Sequence, residues 1–232
     1  MPSPHHTIQI VYFGPPQGGK TTCLRRLWSR LPDRFRSRFL SMDGPAPQTE
    51  GTAETDEPAS HFFDLLPVVL DTENGRVTLR LVAVPGHPMY QPTRRLLLRY
   101  ADGVVFVADS CRPLADNAHS LDELWQNLRE NGRSPDSMPL VVQLNKTDLV
   151  PPRTTVHDLA RRFSGRADVA VLPSCAEQNL GVAESLIQLV QQVWPVVLHE
   201  RNALWDMGLD APTLAQLLQR RLGGSSFREA MP

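Results

Sequence analysis

Apolar positions in this chain fall into short runs and helical stripes that take turns from one end to the other. The run Ile8-Gln9-Ile10-Val11-Tyr12-Phe13 has the length of a strand. Behind it, Leu24, Leu27, Trp28 and Leu31 recur at helical spacing within residues 21–31, and Pro32 marks the stop. Residues 62–70 and 76–84 read as two more strands, separated by Asp71-Thr72-Glu73-Asn74-Gly75, whose Asn-Gly step signals a hairpin. Residues 103–109, 140–146 and 169–173 are short apolar runs of the kind buried in parallel sheets. Helices are expected over 93–100, 114–131, 156–163 and 181–193. Alternation broken by one hairpin predicts an α/β fold: a mostly parallel sheet with one antiparallel edge strand and helices on both faces. Such sheets bind ligands at the carboxyl ends of their strands.

Two stretches depart from this rhythm. Residues 43–60 contain almost nothing apolar and predict a mobile loop. From residue 196 onward the chain reads as an appendage, in which Leu214, Leu217, Leu218 and Leu222 form a helical stripe and Asp210, Ala211 and Pro212 supply start signals. Packing of this helix back onto the domain is expected. The organisation is therefore a tail over 1–6, one nucleotide-binding domain over 7–195 and a helical extension over 196–232.

Composition narrows the partners more than the fold. The 232 residues carry 24 Lys plus Arg against 25 Asp plus Glu, which gives no basic surface for nucleic acid or anionic lipid. Cys23, Cys111 and Cys175 fit no metal spacing and read as thiols of a reducing compartment. No apolar run approaches the ~18 residues of a membrane span. The ends have neither a signal-peptide pattern nor a lipidation motif, so a cytoplasmic protein without a direct membrane anchor is expected.

The chemistry starts at Gly14-Pro15-Pro16-Gln17-Gly18-Gly19-Lys20-Thr21-Thr22, a full match to G-x-x-x-x-G-K-[ST] placed directly after the first strand. Its glycines let backbone N–H groups turn inward on phosphate oxygens. Lys20 adds a cation, Thr21 offers a hydroxyl to Mg²⁺, and a helix beginning near Gly19 adds its positive end. Gly14, Gln17, Gly18, Gly19, Lys20, Thr21 and Thr22 are the candidate phosphate-binding residues.

Asn145-Lys146-Thr147-Asp148 follows the run 140–144, where that strand's carboxyl end meets ligand. It resembles the N-K-x-D guanine reader of Ras-like GTPases. One carboxylate, Asp148, can accept from both N1–H and the exocyclic amine of guanine, a pairing that adenine does not offer. The Lys146 stem can lie on the base, and Asn145 can tie this loop to the phosphate loop. Cys175-Ala176-Glu177 resembles the S-A-K loop of the same proteins, in which a backbone N–H meets guanine O6; the match rests on Ala176 and spacing. GTP or GDP with Mg²⁺ is the ligand these strings imply.

Residues 62–70, then Val84-Pro85-Gly86, then Asp102 to Ser110, are similar to the MglA-type bacterial polarity GTPases over about residues 7–195. The resemblance implies a P-loop small-GTPase fold and a GTP-bound form that sits at a cell pole. It also implies effector proteins of motility or pilus machinery and a roadblock-type activating protein. Several residues depart from the pattern. Ala83 stands where Ras-like proteins carry the Asp of D-x-x-G, though the MglA type lacks that Asp too. Asp64 either supplies the missing carboxylate near the metal or is a solvated edge-strand residue. After Gly86, which would face the γ-phosphate, His87 replaces the glutamine that orients attacking water. Translational GTPases also carry Pro-Gly-His there, which makes His87 the candidate catalytic residue beside its plain reading as a loop histidine.

Aligned through Phe62-Phe63-Asp64, the family's intrinsic arginine falls on Ala59 and its Mg²⁺-binding Thr on Ser60. Ser60 keeps a hydroxyl, whereas Ala59 cannot stabilise transition-state charge, a contribution of about 10³ to 10⁵ in rate. Pro16 also stiffens the phosphate loop. Two alternatives to a slow or partner-dependent GTPase stay open. One is a nucleotide-binding scaffold that does not hydrolyse; the other is a metabolic P-loop ATPase, against which Asp148 argues.

Overall fold

The computed structural model describes residues 5–37, 39–40, 63–86, 90–201 and 208–223. Along the chain these form β1 (His5–Phe13), α1 (Lys20–Arg30), β2 (Asp64–Thr72), β3 (Gly75–Ala83), α2 (Gln91–Arg99) and β4 (Gly103–Asp109). Then come α3 (Leu114–Glu130), β5 (Leu140–Asn145), α4 (Val156–Arg162), β6 (Ala170–Pro173), α5 (Val182–Arg201) and α6 (Ala211–Arg221). The expected loop 43–60, with Ala59 and Ser60, and the candidate His87 lie outside the described residues.

The strands form one sheet in the order β2-β3-β1-β4-β5-β6. Every neighbouring pair is parallel except β2 with β3, the expected hairpin at the edge. Its turn is one residue earlier than the Asn-Gly step suggests: Thr72 pairs with Gly75, so Glu73 and Asn74 are the loop. The Thr72 hydroxyl, 2.8 Å from the Gly75 carbonyl, closes that turn.

Side-chain alternation along the central strands builds two cores. Ile8, Ile10 and Tyr12 of β1, with Val105 and Val107 of β4, point to a core closed by α1, α5 and α6. Val11 and Phe13, with Val104, Phe106 and Ala108, point to the opposite core, closed by α2, α3 and α4. Strands buried on both faces favour apolar residues, and β4 and β5 read as near-continuous runs, broken in β5 by the buried Gln143, whose amide donates to the Cys23 sulfur at 3.0 Å.

Described residues near both ends join the domain, and α6 packs back onto it as expected. His5 and His6 already pair with Arg76 and Val77 in the sheet. Helix α5 continues through Pro195 to Arg201. Pro195 lies on the exposed side, where the hydrogen bond it cannot make leaves a carbonyl to water. Arg201 then clamps α5 to the sheet, donating to the Thr7 carbonyl at 2.8 Å and to Asp102. Helix α6 is capped by the Asp210 side chain and sinks Leu214, Leu218 and Leu222 into the core of α1 and α5.

Candidate functional site

β1 ends where the phosphate loop begins, and the loop delivers the chain into α1. Gln17 takes a left-handed conformation with φ 61°, and Gly19, the N-cap, takes φ 100°. A Cβ on Gly19 would stand 2.2 Å from Nδ2 of Asn145, so the glycine is required both by conformation and by the close approach of that amide. Lys20 is buried beneath the loop, its ammonium donating to the carbonyls of Gly14 at 2.9 Å and Pro15 at 2.8 Å. Burial, and then the nearby Arg94, lower its pKa to about 8. A cation so held is poised to gain from an arriving phosphate.

Thr21, on the first turn of α1, donates its hydroxyl to the Asp64 carboxylate. Asp64 opens β2 and is buried, not solvated. It is the cross-strand partner of Ala83. Residues directly opposite in an antiparallel pair share one face of the sheet. The carboxylate at 64 therefore projects on the face where an Asp at 83 would have projected.

The base-reading residues gather at the carboxyl end of β5. Asn145, fully within the fold, donates from Nδ2 to the Gly18 carbonyl at 2.9 Å and accepts at Oδ1 from the Ala176 N–H at 2.9 Å. It thus joins the phosphate loop to the Cys175-Ala176 loop. The Ala176 N–H, expected to meet guanine O6, is given to Asn145 here. Lys146 has φ 64°, and its ammonium pairs with Asp109 at 2.7 Å. Asp148 is exposed, whereas the Cys175 thiol is buried. Burial, reinforced by the Asp148 carboxylate, pushes the pKa of that thiol up.

Several site residues are not evident from motifs. Asp109 ends β4 beside Asn145 in register and holds Lys146. Asn117 of α3 in turn brackets Asp109, accepting its N–H and donating to its carbonyl, both at 2.9 Å. Arg112 donates to the Pro16 carbonyl at 3.0 Å. The only signal in the chain for these residues is position, since Asp109 and Arg112 follow a buried parallel strand at its ligand end. Glu177, where the S-A-K pattern has lysine, pairs with Arg26 of α1 at 2.7 Å.

Thr21 and Asp64 are hard oxygen donors already within hydrogen-bond reach, the donor class that Mg²⁺ takes, and they fit a Mg²⁺ site beside the phosphate loop. The phosphate loop and the base-reading loop follow the carboxyl ends of β1 and β5, and the metal-side pair links the first turn of α1 to the amino end of antiparallel β2. No protein-family model matches the chain. One curated relative, the mutual gliding-motility protein MglA of Myxococcus xanthus (strain DK1622), is 34% identical over 180 residues, which cover 77% of this chain and 86% of that protein. With the mixed sheet, its one antiparallel pair and the helices on both faces, this likeness places the chain in the MglA family of gliding-motility small GTPases.

Proposed function

We propose that the chain is a cytoplasmic switch that binds GTP or GDP with Mg²⁺, hydrolyses GTP slowly or with a partner's help, and offers partners different surfaces in the two states. The observation that carries this reading is the Thr21–Asp64 hydrogen bond. It ties the start of β2, and so the edge hairpin, to the metal side of the phosphate loop. A change at the nucleotide is then felt at the sheet edge, the kind of coupling that orders switch segments in GTPases. Thr21 and Asp64 would hold Mg²⁺, with Ser60, outside the described residues, as a further ligand; when bound, the ion would neutralise phosphate charge.

Within this reading Lys20 and the loop N–H groups hold phosphate, while Asp148 selects guanine. His87 would orient water. Partners of the switch would be effectors of motility or polarity and a roadblock-type activating protein, which would also bring the switch to a cell pole. Competition of GTP, GDP and ATP against a fluorescent guanine nucleotide tests the binding half. Guanine nucleotides should compete and ATP should not; equal competition overturns the reading. A scaffold that binds without hydrolysing is the second reading, motivated by Ala59, Ala83 and His87 taken together. Single-turnover hydrolysis, alone and with a roadblock-type protein, separates the two: no turnover in either condition selects the scaffold.

A further inference from the structure

Phosphoryl transfer places charge on the transferring oxygens, and GTPases meet it with a guanidinium. Ala59 offers none. Among the described residues two arginines bear on the phosphate loop. Arg94 of α2 is buried, with Nη1 3.5 Å from the Gly86 carbonyl and 3.9 Å from Glu123, and its guanidinium 5.9 Å above the Phe13 ring. Gly86 itself abuts the loop, since a Cβ there would be 2.6 Å from Cα of Pro16. Packed on three sides, Arg94 holds the Gly86 turn in place.

Arg112 is held differently. Its backbone is fixed: the Thr154 hydroxyl donates to its carbonyl at 2.7 Å, and its N–H donates to the Asp109 carbonyl at 3.2 Å. Its side chain is 32% exposed and loosely paired, with Asp109 at 3.6 Å and Asp116 at 4.0 Å. Nη2 meets the Pro16 carbonyl at 3.0 Å, so the guanidinium already lies on the loop that wraps phosphate. A rigid base with a weakly tethered fork of donors can exchange a carbonyl for a phosphate oxygen at little reorganisation cost. Arg94 and Arg112 also contribute to the field that lowers the Lys20 pKa, a concentration of positive charge around the loop. Resting on the GTPase reading above, we propose that Arg112 supplies in cis the transition-state guanidinium that Ala59 cannot.

The test is single-turnover GTP hydrolysis by the purified protein alone, with GTP and GDP affinities measured in parallel. Arg112→Ala should slow turnover ~100-fold or more while both affinities stay unchanged. Arg112→Lys should be nearly as slow, because an ammonium lacks the planar fork. The parent should form a GDP–aluminium fluoride complex that Arg112→Ala loses, a readout that a merely structural role would not move. An unchanged rate, full rescue by lysine, or rate and affinity falling together overturns the assignment. A parent that binds GTP without turnover also overturns it, and leaves the binding reading standing. A parent that binds no guanine nucleotide overturns both.

Discussion

Lys20 is a cation packed where water hardly reaches it, and its titration reports on what occupies the loop. In the unfolded chain the amine keeps its proton up to about 10.5, in the fold only up to about 8. Between those values the unfolded state binds more protons, so stability of the nucleotide-free protein should rise with pH across that window and carry the full burial penalty below it. Phosphate beside the ammonium restores its charge. Nucleotide binding at about pH 9 should therefore take up a proton, and affinity should fall as pH climbs past 8. Calorimetry in two buffers of different ionisation enthalpy measures this, and zero uptake would contradict it. Asp148 carries the matching prediction for the base: Asp148→Asn should shift preference from guanine to xanthine nucleotides, because the amide presents a donor where the carboxylate accepted.

At the scale of elements, the register of the β2–β3 hairpin makes a prediction of its own. Asp64→Ala should raise the Mg²⁺ concentration needed for tight GTP binding. Because residues 64 and 83 are cross-strand partners, Asp64→Ala with Ala83→Asp should recover part of that dependence. Titration of Mg²⁺ against GTP release decides it; an Asp64→Ala protein that matches the parent would sink the metal role. Elements with strong periodicity were legible in the sequence, as were both nucleotide motifs, since a Gly-rich turn after a strand leaves a local mark. The Asp64–Ala83 pairing and the Arg112–Pro16 bond leave none, because they depend on which strands become neighbours. Pro195 misleads in the other direction. Read locally it stops a helix, yet burial of Trp194 and Val197 on the opposite side carries α5 past it.

Over the whole molecule, α6 belongs to the core and is no ornament. Leu214 and Leu218 are fully buried, and the Trp194 indole donates to the Leu209 carbonyl at 2.8 Å just before the helix. Arg30 of α1 donates to the Leu222 carbonyl at 2.8 Å. Leu218→Ala should cost about 2–5 kcal/mol in denaturant unfolding, with an unchanged slope. A loss below half a kcal/mol would mean that α6 is only lightly docked.

Asn145 has a consequence that reaches beyond its own hydrogen bonds. With one amide spanning the phosphate loop and the base loop, the two halves of the ligand are not read independently. Guanosine alone, or pyrophosphate alone, would each have to order both loops for half the reward. Their separate binding free energies should then sum to far less than that of GDP, and the whole nucleotide should leave in one slow, all-or-none event.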